Sequence, residues 1–207
     1  MDMRARLEML GRSTPKEVTP KAAKTTLEQV LGGEIRENSS GKFFFRQQRL
    51  CVTLRHGPRP LAEALELPGA ELASMDPRLS DFDPRKALYI DTETTGLSGG
   101  TGTYAFLVGL AYFCDEGREL IVEQLMMREH CEEKAMLEYL RERVEKSEGL
   151  VSFNGKSFDG PLLDTRFCLN RQRMRLEDET HLDLLPLSRR LWSKALPDCR
   201  LETLERE

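Results

Sequence analysis

Two acidic residues, Asp91 and Glu93, have types and spacing that could do chemistry. They follow the short apolar segment 87–90, which has the composition of a strand. Side chains two positions apart on an extended chain point the same way, so the two carboxylates are predicted to share one small volume. Like charges so close raise each other's pKa or hold a cation between them, and carboxylate oxygens suit Mg²⁺ or Mn²⁺. The simpler alternative is a pair of solvated acids at a strand end.

A third acidic residue, Asp159, follows another predicted strand, 149–153, and stands at the head of a predicted helix. One interpretation is structural, because an aspartate before Gly160 and Pro161 is a good helix N-cap. The other is functional. If the two strands are neighbours, the three carboxylates meet at the carboxyl edge of one sheet, where ligand sites are favoured.

The elements that must position these residues form a βββαβαβα series after residue 80. Apolar segments between glycine-bearing or charged turns predict strands, and an apolar stripe among charges predicts an amphipathic helix. In chain order the predicted elements are strands 87–90, 103–113 and 120–127, helix 131–146, strand 149–153, helix 159–169, strand 181–185 and a helix around 189–192. This order predicts an α/β fold in which a mixed β-sheet is flanked by helices.

The first 80 residues predict a small N-terminal α+β annex, with a domain boundary near residue 80 and a second domain at 81–207. We expect residues 1–18 to be partly disordered and residues 22–31 to form a short helix that ends at a glycine pair.

A β-hairpin is predicted within this annex, because segments 34–36 and 42–54 flank the turn sequence at 38–41. Its second strand carries the aromatic run 43–45 with arginines nearby. Such rings could stack on bases, but an alternating hairpin favours their burial in the core.

Composition excludes several classes of protein. The chain has 207 residues and a formal net charge of −4, and its mean hydropathy is −0.49. No apolar run approaches the ~20 residues that cross a bilayer, so a membrane-spanning protein is excluded. The first residues lack the apolar core of a secretory signal, which predicts a cytoplasmic protein. Five scattered cysteines without a C-x-x-C pair predict reduced, structural thiols.

Charge is distributed unevenly along the chain. Residues 1–80 carry 13 basic and 10 acidic side chains, whereas residues 81–207 carry 18 and 25. An acidic domain repels a nucleic acid backbone unless metal ions intervene, so bulk charge gives no support for nucleic acid binding.

Two motifs carry a resemblance to a known family. The sequence Asp-Thr-Glu-Thr-Thr-Gly-Leu at 91–97 resembles the first motif of the DEDD 3′→5′ exonucleases of the ribonuclease H-like superfamily. The sequence Asn-Gly-Lys-Ser-Phe-Asp at 154–159 resembles their second motif, and residues 97–109 resemble the YprB-like branch of that family. The resemblance covers about residues 86–207 and implies a ribonuclease H-like fold.

The resemblance implies a two-metal exonuclease that acts on the ends of single-stranded DNA or RNA. Asp91 would bridge two Mg²⁺ or Mn²⁺ ions, and Glu93 and Asp159 would complete the ligand set. One ion would help generate hydroxide and the second would stabilise the departing 3′ oxygen, with the two ions ~4 Å apart. The resemblance also implies a set of substrate-binding residues, which are Thr92, Thr94, Thr95, Leu97, Asn154 and Phe158. For Phe158, burial in the hydrophobic core is the alternative.

The chain departs from the family pattern near its end. In the family, a fourth carboxylate follows two segments that are similar to residues 181–185 and 200–204, and a His or Tyr base precedes that carboxylate. The given sequence stops at Glu207. We therefore expect a truncated chain with an incomplete site. Asp183, with His181 as a base, is an alternative fourth ligand, but a strand-end role is favoured. Two further alternatives are a degenerate nucleic-acid-binding or protein-interaction module and a phosphoesterase for small nucleotides.

Overall fold

The structure is a computed structural model that describes residues 25–66, 72–73, 76–96, 101–114 and 117–206. The predictions for residues 1–18 and for the start of the first helix lie outside these residues. The helices are α1 (Leu27–Leu31), α2 (Glu133–Glu145), α3 (Asp159–Leu169), α4 (Leu184–Trp192) and α5 (Leu201–Leu204). The strands are β1 (Glu34–Asn38), β2 (Gly41–Cys51), β3 (Arg55–His56), β4 (Arg59–Pro60), β5 (Leu88–Thr94), β6 (Ala105–Cys114), β7 (Glu119–Met126), β8 (Leu150–Ser152) and β9 (His181–Asp183).

Seven of the strands form one mixed sheet in the order β1-β2-β7-β6-β5-β8-β9. Strands β5, β6 and β7 form an antiparallel meander, and β8 and β9 add to β5 in parallel. The predicted βββαβαβα order and the α/β class are confirmed. In the described part of the chain, no helix combines the length and apolar character needed to span a bilayer.

Strand β5 joins the antiparallel and parallel parts of the sheet, because it lies between β6 and β8. Its residue Tyr89 pairs with Val151, and Ser152 of β8 pairs with Asp183 of β9. The three parallel strands therefore end at the same edge of the sheet, which is where ligands bind in open α/β sheets.

The main core lies on one face of the sheet. Leu88 and Ile90 of β5 point into it because side chains two apart on a strand share a face. The predicted amphipathic helix is confirmed, since its apolar residues Ala135, Met136, Leu140 and Val144 are buried in α2. Helix α3 covers the same face with Leu162, Leu163 and Phe167. The aspartate that starts α3 is thereby fixed relative to β5.

The N-terminal hairpin is confirmed, but it is part of the main sheet. Strand β2 pairs with β7 along its length, from Phe44↔Met126 to Cys51↔Glu119. The aromatic run is buried, with Phe43, Phe44 and Phe45 each at most 2% exposed. The core interpretation of these rings is therefore confirmed. The expected separation of a 1–80 annex differs from the structure, because the hairpin covers a β7 edge that would otherwise expose unpaired backbone groups.

A second, smaller core on the opposite face also uses residues before position 80. Leu72, Leu79 and Phe82 pack with Val151 and Leu182. The polypeptide around the expected boundary is thus built into the same sheet. Helix α1 begins at Leu27 after a capping box formed by Thr26 and Gln29. The five cysteines all lie within the described residues and form no disulfide.

An ion pair between a buried glutamate and a partly buried arginine joins strand β7 to α2. Glu123 is fully buried, and Arg143 of α2 donates to both of its carboxylate oxygens. The hydroxyls of Tyr112 and Tyr139 also donate to this carboxylate, at 2.9 and 3.0 Å. Tyr112 and Glu123 belong to the sheet, and Tyr139 and Arg143 belong to the helix that packs on it.

Candidate active site

Asp91 and Glu93 stand on the second half of β5 and are both exposed. By strand alternation they share the face opposite Leu88 and Ile90, which belong to the main core. The register with β6 shifts between Glu93 and Thr94, where the strand ends. The two carboxylates are therefore available at the sheet edge where the parallel strands end.

Asp159 is the first residue of α3 and is 8% exposed. The N-cap position is occupied by Phe158, which makes no side-chain capping bond. The N-cap interpretation of Asp159 is therefore wrong. Instead, its carboxylate accepts a hydrogen bond from the hydroxyl of Thr92 on β5.

The electrostatics of Asp159 show that acidic groups converge here. Burial raises the pKa of Asp159, the hydrogen bond from Thr92 lowers it, and the charges of Asp91 and Asp183 raise it. Asp91 is thus close enough to Asp159 to disfavour its ionisation. A bound cation would reverse this effect by favouring the charged carboxylate.

The loop between β8 and α3 is held in place by Asp183 of β9. One carboxylate oxygen of Asp183 accepts the backbone N–H of Asn154 at 2.8 Å, and the other accepts that of Lys156 at 3.1 Å. The same side chain caps α4 through the backbone N–H of Leu185 at 3.0 Å. Asp183 therefore has the favoured strand-end role and positions the loop that leads to Asp159.

A second set of contacts fixes the beginning of this loop. Ser152 Oγ lies 2.7 Å from His181 Nε2, and the backbone N–H of Gly155 donates to Ser152 Oγ at 3.1 Å. Burial lowers the pKa of His181 to about 4, so its ring is neutral at pH 7. A Cβ atom on Gly155 would lie 2.3 Å from Ser152 Oγ. Only glycine fits this approach without a shift of the loop.

The residues expected to contact substrate differ in their hydrogen bonds, exposure and backbone conformation. Thr94 Oγ1 donates to the carbonyl of Gly96 at 3.0 Å, and Thr95 Oγ1 accepts the backbone N–H of Tyr104 at 3.0 Å. The side chain of Phe158 is 48% exposed, so its core alternative is wrong. Asn154 adopts a left-handed conformation with φ of 68°, and Leu97 lies outside the described residues.

A divalent cation fits the donor chemistry at this edge. Asp91 and Asp159 offer carboxylate oxygens, which are hard ligands, and the charge of Asp91 disfavours the ionised form of Asp159. The structure brings these two residues together with Thr92. Within the residues that are described, no group of three His, Cys, Asp or Glu side chains is arranged to hold a metal ion, so Glu93 does not join them in such a cluster.

Several residues that shape the site were not predicted from the sequence. Ser152 contacts His181 across 29 positions, and Glu133 of α2 pairs with Arg166 of α3 across 33 positions. No local spacing signals such contacts. Only the sequence order of strands and helices, which places β9 beside β8, points towards the first of them.

The chain has sequence similarity to a known family and to a known protein. A family model described as the RNase H superfamily matches residues 88–207. The uncharacterized protein YprB of Bacillus subtilis (strain 168) is 35% identical over 127 residues, which are 61% of this chain and 30% of the relative. The match thus spans less than a third of that relative's length.

Among solved structures, the chain is similar to E. coli exonuclease I in complex with a dT13 oligonucleotide. The two are 17% identical with a TM-score of 0.38, over 57% of this chain and 34% of the other.

Proposed function

The chain belongs to the RNase H superfamily, and on that premise we propose that it is a divalent-metal-dependent 3′→5′ exonuclease acting on single-stranded nucleic acid ends. The observation that supports this most is the contact between Thr92 and Asp159, which joins the two acidic motifs at the carboxyl edge of β5 and β8. Without that contact, the motifs would be separate features of the sequence.

In this proposal Asp91 and Asp159 would hold Mg²⁺ or Mn²⁺, with two ions in a complete site. Glu93, which shares a strand face with Asp91, would complete the ligand set when the ions bind. The ions would lower the pKa of an attacking water and stabilise the leaving oxygen. Other residues of the chain hold these carboxylates in position. Thr92 orients the carboxylate of Asp159, and Asp183 and Ser152 hold the loop before it.

The exposed ring of Phe158 has a separate role in the proposal. It directly precedes Asp159 and is 48% exposed, so it is available to a nucleotide base. Stacking of a base on an aromatic ring contributes about 1–3 kcal/mol and tolerates any base. This supports binding of an unpaired strand end without sequence preference.

Charge also supports a role for metal ions. Residues 81–207 carry 25 acidic and 18 basic side chains, so this part of the chain repels a phosphodiester backbone. Divalent cations at Asp91 and Asp159 would offset that repulsion where the scissile phosphate must lie.

The test is a time course on a 5′-labelled single-stranded oligonucleotide, with DNA and RNA in parallel and with Mn²⁺, Mg²⁺ or chelator. Asp91→Asn is compared with Asp81→Asn, a matched change at another exposed aspartate. We expect a metal-dependent ladder that shortens from the 3′ end and that only Asp91→Asn abolishes. Equal cleavage by Asp91→Asn and the unmodified chain would refute the assigned site.

A second candidate is a nucleic-acid-binding or protein-interaction module that lacks catalysis. It is favoured by the lack of a three-residue metal-holding group among the described residues. Calorimetry distinguishes the two candidates. No binding of Mg²⁺ or Mn²⁺, together with oligonucleotide binding that persists in chelator, would support the module.

A further inference from the structure

Arg166 is a buried arginine in the last turn of α3, seven positions after Asp159, and is 4% exposed. Its Nε and Nη2 donate to the two carboxylate oxygens of Glu133, the first residue of α2. Its Nη1 donates to the backbone carbonyl of Thr101 at 2.7 Å. Its guanidinium carbon lies 3.9 Å from the ring centroid of Tyr104. One side chain therefore contacts α2 and the connection from β5 to β6.

The contacts of Arg166 lead back to the first acidic motif. Tyr104 and Thr95 form a reciprocal pair, in which the backbone N–H of Thr95 donates to the Tyr104 carbonyl and the Tyr104 N–H donates to Thr95 Oγ1, each at 3.0 Å. Thr95 directly follows β5, which carries Asp91 and Glu93. A continuous set of contacts thus runs from the end of β5 through Tyr104 and Arg166 to the helix that Asp159 begins.

We propose that Arg166 is a positioning residue of the proposed nuclease site, a role that rests on the function proposed above. It sets the separation between Thr95 at the end of β5 and Asp159 at the start of α3. The bidentate pair with Glu133 neutralises its charge, and its burial keeps it from touching a phosphate. It therefore acts only through the backbone of Thr101 and the ring of Tyr104.

Arginine is specific to this role because its planar fork presents several N–H groups in fixed directions. Two groups are used by Glu133 and a third by Thr101. A lysine retains the charge opposite Glu133 but has no rigid fork to contact the Thr101 carbonyl at the same time. Arg166→Lys is thus expected to preserve the fold and loosen the β5–β6 connection.

The chain contains a matched control at Arg143. Like Arg166, Arg143 donates to both oxygens of a buried glutamate, Glu123, and its guanidinium carbon lies 5.1 Å from the ring centroid of Tyr139. It belongs to α2 and pairs with Glu123 of β7, which is two strands from β5 in the sheet. Arg143→Lys therefore reports what disruption of a buried arginine–glutamate pair does to the fold alone.

The experiment measures KM and kcat for shortening of a 5′-labelled oligonucleotide, the fluorescence anisotropy of a labelled oligonucleotide in chelator, and urea unfolding. We expect Arg166→Lys to raise KM and weaken oligonucleotide binding about tenfold, since small misplacements at a site cost this much or more. We expect Arg143→Lys to change both by less than twofold at a similar loss of stability. If Arg166→Lys fails to fold, a double variant, Glu133→Gln with Arg166→Gln, removes both charges and should raise KM and weaken oligonucleotide binding by a similar factor.

The outcomes separate this inference from the proposed function. Equal KM and affinity in the Arg166 and Arg143 variants, while Asp91→Asn abolishes cleavage, would overturn the positioning role and leave the exonuclease proposal intact. Weakened binding in the Arg166 variants alone, without cleavage by the unmodified chain, would support the positioning of a binding site and contradict the nuclease. No oligonucleotide binding in chelator, together with no cleavage by the unmodified chain in Mg²⁺ or Mn²⁺, would overturn both.

Discussion

The hydroxyl of Thr92 donates a hydrogen bond to Oδ1 of Asp159, so the two acidic motifs touch although they lie 67 positions apart. Thr92 belongs to β5, and Asp159 follows β8, which pairs with β5 in parallel. The bond stabilises the charged form of a carboxylate that is otherwise disfavoured by burial and by the charge of Asp91. The protein therefore keeps an ionisable group at this edge at a cost in stability, as is common at functional sites.

Asp159→Asn is expected to stabilise the metal-free protein at neutral pH. Because burial raises the pKa of Asp159, the folded chain holds this proton more tightly than the unfolded chain. The free energy of unfolding contributed by this group therefore falls as pH rises through the raised pKa. The neutral amide avoids that loss and still accepts the bond from Thr92.

Urea unfolding in chelator at pH 7 and pH 4 measures this effect, with Asp81→Asn as the exposed control. The difference between Asp159→Asn and the unmodified chain should be larger at pH 7. An Asn variant that is less stable at pH 7 would count against the electrostatic account.

Gly155→Ala is expected to lower the free energy of unfolding by about 1–3 kcal/mol, the usual cost of overpacking. The added Cβ would lie 2.3 Å from Ser152 Oγ, 2.6 Å from Ser152 Cβ and 3.3 Å from Asp159 Oδ2. The loop must then move away from the site. Gly102→Ala is the matched control, because nothing lies within 4 Å of its built Cβ. Equal urea midpoints for the two variants would show that the loop yields without cost.

His181→Gln is expected to weaken the pH dependence of stability between pH 6.5 and 4. Burial lowers the pKa of His181 from 6.5 to about 4, and the charge of Lys156 acts in the same direction. The unfolded chain therefore binds a proton in this range that the folded chain does not. Stability is fully present above pH 6.5 and is lost as pH falls towards 4, by about 3 kcal/mol for this group.

Unfolding midpoints at half-unit steps from pH 4 to 7 test this prediction. Glutamine offers an amide to Ser152 but does not titrate, so the slope for His181→Gln should be smaller than for the unmodified chain. Parallel pH profiles would mean that other groups carry the dependence.

Arg171→Gly is expected to raise the free energy of unfolding by about 1 kcal/mol. Arg171 follows the C-cap Asn170 of α3 and has a φ of 57°, a left-handed conformation that costs an L-residue roughly 1–2 kcal/mol. Glycine is the usual residue at this helix end because it adopts the conformation freely. Arg173→Gly, at an exposed position without a positive φ, should be neutral or destabilising. Urea unfolding of both variants decides, and a destabilised Arg171→Gly would contradict the argument.

Local patterns in the sequence were sufficient to predict most elements of the fold. The apolar run at 87–90 indicated a strand, and the apolar stripe through Met136 and Leu140 indicated a helix. Both patterns depend only on residues that are close together in the sequence. The same locality placed Asp91 and Glu93 on one face of a strand.

The partners of those elements were decided by the tertiary structure alone. Nothing in residues 34–51 specifies that the hairpin pairs with β7, since the turn determines a hairpin's own register but not its neighbour. The domain boundary expected near residue 80 therefore separates strands that belong to one sheet.

For the candidate site, too, the sequence determined some features and the tertiary structure determined others. The sequence by itself determined which acidic side chains stand at strand ends, because their positions depend on the few residues before them. Only the tertiary structure decided that Thr92 holds Asp159, that Asp183 holds the loop before it, and that Arg166 joins α3 to the β5–β6 connection. These contacts join side chains tens of positions apart, whose distance depends on the packing of the whole sheet and not on their spacing along the chain.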